Sequence, residues 1–265
     1  MKKNIAILGC GNLGQSIAKG LISDDFNPAY LTLSKRHYQT LDHFKQQGIS
    51  VTSDNRAAVE NSRIIIIAVK PFNFNDVLED IKSVVTSDHT IVSVATGVTI
   101  KEIASQLPNN INVIRAMPNT ATDVGESVTA IAYNKNTDND AVAEAKEIFQ
   151  KIGITIDIDE ELMEAATILG ACGIAYVMRF IRAMVQGGIQ IGFNAKTASD
   201  IVNQTVKGAA ALLIEREQHP EFEIDKVTTP RGCTIVGLNE MEHHGFSSSL
   251  IRGIVASYQK IEKTE

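Results

Sequence analysis

The sequence predicts an α/β domain with a largely parallel sheet, followed by an all-α domain. Three observations predict this fold class. The chain opens with an apolar run, a glycine-rich turn and an amphipathic segment, the order of a strand, turn and helix. Strand and helix patterns then alternate as far as residue 159, and only helical patterns follow from Glu160. We therefore place a Rossmann-type dinucleotide-binding domain at 1–159 and a helical domain at 160–265.

Composition and charge exclude several classes of protein. The chain has 265 residues, of which 44% are hydrophobic, and a net charge of −6 without a long basic cluster, so we expect no nucleic-acid partner. Its three cysteines are scattered and indicate neither a disulfide framework nor a zinc site, and we expect no metal. Because a strand pattern begins within a few residues of Met1, we expect no signal peptide and a cytoplasmic location.

The glycine turn at 9–14 is the predicted binding element of the first domain. Gly9 permits the tight turn, Gly11 lets the backbone approach a pyrophosphate, and Gly14 lets the first helix pack on the first strand. The free N–H groups at the start of that helix would then face the phosphates. The alternative is a glycine-rich turn that binds nothing.

The end of the second predicted strand, 30–34, indicates which nicotinamide cofactor is used. An acidic residue there would bind the ribose 2′-hydroxyl of NAD. This chain has Ser34, Lys35 and Arg36 instead, and the nearest acids, Asp24 and Asp25, precede the strand. A hydroxyl followed by two cations suits a 2′-phosphate. The sequence therefore favours an NADPH site here, and the alternative is a basic turn that only contacts solvent.

A run of β-branched residues at 64–69 predicts a central parallel strand buried on both faces. Ligands of such sheets lie beyond the carboxyl ends of the strands, so the strand end should border the nucleotide, unless Lys70 and Pro71 only terminate the strand. Further strands are predicted at 90–94, 112–115, 127–133 and 154–158, with a capping box at Thr99 and Glu102 and a helix at 138–151.

The helical half begins with a long apolar segment. Residues 162–185 are interrupted only by Glu164, Arg179 and Arg182, and these three charges argue against a transmembrane helix. A helix that is apolar all round has to be buried all round, which is difficult in a domain of this size alone. We therefore predict an obligate dimer built from this half.

The later helices include a candidate anion site. Helices are predicted at 194–218, 233–243 and 250–261, the last capped by Ser247. Backbone N–H groups at the start of the second of these, from Gly232 to Thr234, would bind a small carboxylate, with the hydroxyls of Thr229 and Thr234 beside them. The alternative is that both threonines are helix caps. His243 and His244 end the helix as favourable dipole partners.

Several motifs together resemble those of pyrroline-5-carboxylate reductases, in order and along the whole chain. They are Gly-Cys-Gly-Asn-Leu-Gly at 9–14, Ala-Val-Lys-Pro at 68–71, Arg-Ala-Met-Pro-Asn-Thr at 115–120, Val-Gly-Glu at 124–126, Lys-Gly-Ala-Ala at 207–210 and Val-Thr-Thr-Pro at 227–230, with Gly-Leu at 237–238. The resemblance implies reduction of the cyclic imine of pyrroline-5-carboxylate to L-proline with NADPH, with NADH as a weaker cofactor. It also implies a helical dimerisation domain that forms an interlocked homodimer, in some members a decamer of five dimers.

The resemblance implies the following site residues. On the cofactor lie Gly9, Gly11, Asn12, Leu13, Gly14, Ser34, Lys35, Arg36, Asn55, Ala68, Val69, Lys70, Pro71, Ala95 and Gly97. On the substrate lie Met117, Pro118, Asn119, Glu217, Thr229, Gly232, Cys233 and Thr234. Thr234 is the catalytic candidate near the imine, and Glu217 is the candidate for a water-linked contact to its nitrogen.

The sequence also departs from the pattern of that family. Gly-Ala-Cys-Gly-Ile-Ala at 170–175 stands where many members have Ser-Gly-Ser-Gly-Pro-Ala, and Arg231 and Cys233 stand within the Thr-Pro loop. Two alternative functions therefore stay open. One is an NADPH-dependent reductase of another cyclic imine or of a hydroxy or keto acid, and the other is a protein that senses NADPH without catalysis.

Overall fold

A computed structural model of the chain describes residues 4–23 and 26–262, so Asp24 and Asp25 lie outside the described residues. The chain separates into two compact units. One contains the described residues up to Cys172 together with 261–262, and the other is Gly173–Lys260.

The first unit contains one sheet of eight strands among its described residues. The strands are β1 (Ile5–Leu8), β2 (Leu31–Ser34), β3 (Ser50–Thr52), β4 (Ile64–Ile67), β5 (Thr90–Ser93), β6 (Asn112–Met117), β7 (Ser127–Tyr133) and β8 (Gly153–Asp157). Their order is β3-β2-β1-β4-β5-β6-β7-β8, and every neighbouring pair is parallel except β6 and β7. This is the predicted α/β Rossmann-type architecture. β3 was not predicted from the sequence, because it is only three residues long and half exposed.

Helices cover both faces of this sheet. They are α1 (Asn12–Ser23), α2 (Asp42–Lys45), α3 (Asn55–Glu60), α4 (Phe74–Ile81), α5 (Ile100–Ser105), α6 (Asn139–Gln150) and α7 (Met163–Ala166). One core packs α1 and α6 against Ile5 and Ile7, and the other packs α3, α4 and α5 against Ala6 and Leu8. All four isoleucines of β4 are fully buried, which confirms the prediction of a central strand covered on both sides. The capping box predicted at Thr99 is present.

The long apolar helix predicted from Leu162 is interrupted in the structure. A π-helix, Thr167–Cys172, separates α7 from α8 (Gly173–Gln190). The part before α8 packs on the sheet, because Met163 is buried against Met117 and Ala130. Along the chain, the boundary between the compact units therefore falls after Cys172, whereas the functional boundary at 159/160 stays a prediction.

The second unit consists of α8, α9 (Ala195–Arg216), α10 (Pro220–Lys226), α11 (Cys233–His243) and all but the last two residues of α12 (Phe246–Glu262). The prediction that Ser247 caps the last helix is wrong. The helix begins at Phe246, directly after the left-handed Gly245 (φ 77°), so Ser247 lies within its first turn and donates to Glu242 Oε1. α10, which begins at a proline, was not predicted from the sequence either.

The second unit has a small core of its own. It is formed by Val185, Ala198 and Val202, with Ile181 and Val206 packed against it. Many large apolar side chains remain exposed within the chain, among them Met178 and Ile214. By length and composition alone, the stretch Glu160–Gln190 could cross a membrane, and little of its most apolar part is buried within the chain.

Candidate active site

A cleft of about 1150 Å³ lies at the carboxyl edge of the parallel strands of the first unit. The turns after β1, β2, β4, β5 and β6 all contribute to it, which is where such sheets bind ligands. The structure brings most of the predicted cofactor and nicotinamide-side residues together here. They are Gly9, Gly11, Asn12, Leu13, Lys35, Arg36, Asn55, Ala68, Val69, Lys70, Pro71, Ala95, Met117, Pro118 and Asn119.

The three motif glycines have different physical reasons to be glycine. Gly9 has a left-handed φ of 77°, and a Cβ there would lie 2.1 Å from Val69 Cγ1. A Cβ on Gly14 would lie 3.2 Å from Ile7 Cγ2. A Cβ on Gly11 would meet nothing closer than the Gly9 carbonyl oxygen at 3.8 Å. The fold thus requires Gly9 and restricts Gly14, whereas the open space at Gly11 is a cradle for a closely approaching ligand.

Cys10, between the first two of these glycines, contributes packing rather than reactivity. Its side chain is fully buried, and this burial raises the pKa of the thiol to about 12. The nearby charge of Lys35 lowers that pKa by a smaller amount. Cys10 is therefore a neutral thiol at physiological pH, which is not nucleophilic.

The end of β2 differs in detail from the sequence prediction. The Ser34 side chain is buried, and its hydroxyl donates to Asn55 Oδ1 at 2.6 Å. Asn55 Nδ2 in turn donates to Asp80 Oδ2 at 3.0 Å. Ser34 is absent from the described cleft lining and instead holds Asn55, which does line it. This chain of hydrogen bonds fixes the orientation of the Asn55 amide.

The two cations after Ser34 do line the cleft. Lys35 Nζ donates to Thr40 Oγ1 at 2.9 Å. Arg36 is exposed and forms no ion pair with any described residue. Its guanidinium therefore keeps its donors for a ligand, and a phosphate matches their geometry.

Asn119 links the end of β6 to the π-helix. Its side chain is buried, its Oδ1 accepts from the Ala121 amide at 2.9 Å, and its Nδ2 donates to the Gly170 carbonyl at 3.2 Å. Asn119 lines the cleft, but both ends of its amide are engaged within the protein. We therefore assign it first to holding the π-helix against the sheet.

Further residues that were not assigned to the site from the sequence also line the cleft. Thr96 and Thr120 follow strand ends that were expected on the ligand side, and the others are His37, Ser53, Asn73, Asp76, Val77, Asp80, Val94, Thr167, Ala171 and Cys172. The last three belong to the π-helix, which an apolar periodicity cannot distinguish from an α-helix. Of the predicted cofactor residues, Gly14, Ser34 and Gly97 are not in the described lining. Gly97 occupies a left-handed turn after β5 (φ 71°).

The predicted anion site at the start of α11 has free backbone donors. Gly232 is the N-cap, and no described side chain caps this helix. Thr229 and Thr234 are therefore not helix caps. The prediction that the Gly232 amide is free for a carboxylate is wrong, because this amide donates to the Thr229 carbonyl at 2.9 Å, and the free donors begin at Cys233. A Cβ on Gly232 would lie 2.6 Å from Thr229 Oγ1. This contact explains a glycine at 232.

The other residues predicted near this tip are accessible within the chain. Thr229 and Cys233 are exposed, and Thr234 is half-buried. Arg231 is exposed and has a left-handed φ of 61°. Glu217 ends α9, also with a left-handed φ of 51°, and its amide donates to the Leu213 carbonyl at 3.1 Å.

The fold and the cleft define a dinucleotide-dependent oxidoreductase of the Rossmann class. Residues 160–264 match the family model for pyrroline-5-carboxylate reductase dimerisation, and residues 4–97 match that for NADP oxidoreductase, coenzyme F420-dependent. The chain belongs to the pyrroline-5-carboxylate reductase family. It carries the dimerisation domain of that family.

Individual relatives agree with this assignment. Pyrroline-5-carboxylate reductase 1 of Dictyostelium discoideum is 47% identical over 97% of this chain, but this chain spans only 49% of that relative. Pyrroline-5-carboxylate reductase 2 of the same organism is 43% identical, with 99% of this chain and 93% of the relative covered. A crystal structure of Plasmodium falciparum pyrroline carboxylate reductase with NADP bound is 26% identical, covers 99% of this chain and 98% of its own, and has a TM-score of 0.90.

Proposed function

We propose that this protein reduces 1-pyrroline-5-carboxylate to L-proline with NADPH, the last step of proline biosynthesis. The observation that carries this proposal is family membership over both halves of the chain, at 43% identity to a reductase of nearly the same length. The cleft supports it, because its residues suit a phosphorylated dinucleotide.

The cofactor is NADPH. When bound, it supplies the hydride that the reaction transfers. The turn at 9–14 and the first amides of α1 would hold the pyrophosphate, and Lys35 and Arg36 would hold the 2′-phosphate. NADH lacks this phosphate, so we propose that it is the weaker cofactor.

Gly11→Ala is expected to weaken NADPH binding while the protein stays folded. The new methyl group has space within the fold but occupies the position that a pyrophosphate would approach. We expect the KM for NADPH to rise at least about tenfold, equivalent to about 1.4 kcal/mol. Steady-state kinetics and thermal unfolding measure the two effects.

Gly14→Ala is the contrasting variant for this experiment. Its Cβ would lie 3.2 Å from Ile7 Cγ2, so it should lower the unfolding temperature more than Gly11→Ala does. An unchanged KM for NADPH in a folded Gly11→Ala protein would show that the pyrophosphate does not approach this turn.

We propose that the start of α11 binds the substrate carboxylate. Its uncapped N–H groups and the positive end of the helix dipole favour a small anion. The Thr234 hydroxyl would lie near the imine nitrogen, with Met117 and Pro118 on the nicotinamide side and Glu217 reaching the nitrogen through water. Because a threonine hydroxyl is a poor acid, the imine either binds already protonated or takes its proton from water through Thr234.

The function is tested with purified protein, pyrroline-5-carboxylate and NADPH or NADH, followed by the loss of reduced-nicotinamide absorbance. We expect turnover, with NADPH preferred. Thr234→Ala should lower kcat/KM about tenfold, as expected for loss of one hydrogen bond to a charged group.

Thr228→Ala is the matched control, because it removes a neighbouring hydroxyl that donates to the Ile224 carbonyl at 2.8 Å. A Thr234→Ala rate within about twofold of wild type, a barrier change of about 0.4 kcal/mol, would contradict the role of this hydroxyl. NADPH binding without turnover would favour a protein that senses NADPH without catalysis. Turnover only of a six-membered imine, or of a hydroxy or keto acid, would favour a reductase with a different substrate.

We further propose that the protein is a homodimer whose dimers can assemble into a decamer of five, and that it works in the cytoplasm without nucleic-acid or membrane partners. The support is the dimerisation domain together with the small core of the second unit. Its exposed apolar side chains need cover, and a second copy of the same domain can provide it.

A further inference from the structure

We propose that the outer face of β8 forms part of the interface with a second copy of this chain, so that the nucleotide-binding half also contributes to the dimer. This inference rests on the homodimer proposed above. The surface consists of Ile154 and Ile156, whose side chains are 62% and 48% exposed within the chain. We call these two residues the β8 strip.

The strand register fixes which face of the sheet carries the β8 strip. Ile154 pairs with Val128, and Ile156 pairs with Ala130, in a parallel arrangement. Paired residues in neighbouring strands point to the same face. Ala130 on this face packs with Met163, and a Cβ on Gly170 would lie 3.4 Å from Val128. The strip therefore lies on the face that the segment 163–172 covers, one strand further out.

The opposite face of β8 is polar and contacts α6, where Lys146 forms an ion pair with Asp157. Thr155 points to that face and accepts from Gln150 Nε2 of α6 at 3.4 Å. A strand with one solvated face normally presents polar side chains there. On the face of β8 that carries Ile154 and Ile156 this order is reversed, because both exposed side chains there are isoleucines. The exposed face thus has the apolar composition that is typical of a protein surface covered by another part of the assembly.

The continuity of this surface with the dimerisation domain identifies a second copy as the occupant. The family match to that domain begins at residue 160, just after the end of β8. Leu162 and Leu169, in the segment next to the strip, are 54% and 64% exposed. The apolar surface therefore extends from the dimerisation domain onto β8, and the exposed apolar side chains of a partner's helical unit match it in chemistry.

The test uses the full chain and compares Ile154→Lys/Ile156→Lys with Thr155→Lys, which adds a charge to the same strand on the opposite face. Sedimentation equilibrium measures the dimer dissociation constant, and NADPH titration reports whether the nucleotide-binding half is folded. We expect the double variant to bind NADPH normally and to raise the dissociation constant at least about tenfold, as for loss of a buried interface anchor. Thr155→Lys should leave it within about twofold.

The inference is overturned if the double variant dimerises like the wild type, or if Thr155→Lys weakens the dimer equally. If the double variant fails to bind NADPH, amide hydrogen exchange of residues 153–157 in the wild type decides. If these amides exchange faster when the protein is diluted until it is monomeric, the result supports the proposed interface. If their exchange rates do not change, the inference is overturned. A wild-type protein that is monomeric at every concentration would instead contradict the proposed homodimer, which is a separate outcome.

Discussion

Lys35→Ser/Arg36→Ser is expected to remove the preference for NADPH over NADH. Each cation makes charge-assisted hydrogen bonds to the 2′-phosphate in the proposed complex, and such bonds are worth about 1.5–3 kcal/mol each. Together they predict a loss of about 10²- to 10⁴-fold in kcat/KM for NADPH. The value for NADH should change little, because NADH offers these side chains no phosphate.

The measurement is the ratio of kcat/KM for the two cofactors, at two salt concentrations. Arg36→Ser alone is the cleaner single variant, because Arg36 has no ion pair among the described residues, whereas Lys35 also donates to Thr40. Lys82→Ser is the matched control, since Lys82 pairs with Glu79 on an exposed surface. A cofactor ratio that stays at the wild-type value in the double variant would show that the 2′-phosphate binds elsewhere.

Arg115→Met is expected to lower the free energy of unfolding by about 3–5 kcal/mol, the usual cost of removing one partner from a buried ion pair. The Arg115 side chain is only 2% exposed. Its Nη1 lies 3.3 Å from Glu160 Oε1, and its Nη2 lies 2.8 Å from Glu164 Oε1. Glu160 Oε1 also accepts from the Ile100 amide at 2.7 Å. The substitution leaves two partly buried carboxylates without a cation.

Urea denaturation followed by circular dichroism, at one fixed protein concentration, measures this loss. Lys196→Met is the control, because the Lys196–Asp200 pair is exposed and should be worth less than about 0.5 kcal/mol. Adding Glu160→Gln and Glu164→Gln to Arg115→Met should recover at least about 1 kcal/mol, because the unpaired charges are then gone. A loss of under about 1 kcal/mol in Arg115→Met would mean that the cluster does not stabilise the fold.

Short-range patterns were enough to predict much of the nucleotide-binding half. The apolar run of β4, the glycine turn and the capping box at Thr99 are each decided by neighbours in the chain. That Lys35 and Arg36 line the cleft could likewise be predicted from their place after β2. Such features depend on backbone geometry and on the burial of one strand. Both are visible in the pattern of residue types along the chain.

Other features of the structure depend on contacts between residues that are far apart in the sequence. Burial of Ser34 against Asn55, and of Arg115 against two glutamates, joins elements far apart in the chain. The π-helix at 167–172 and its hydrogen bond from Asn119 have no periodic signal, because one extra residue per turn does not alter an apolar run.

The sequence by itself determined the fold class, the strand ends that line the cleft and the basic turn that favours NADPH. Only the tertiary structure decided which of these side chains face the cleft, and it showed that Ser34 does not. It also decided which apolar residues stay exposed within the chain, among them Ile154 and Ile156. The physical reason is that local order sets backbone conformation, whereas exposure and hydrogen-bond partners are set by contacts between residues that the sequence keeps apart.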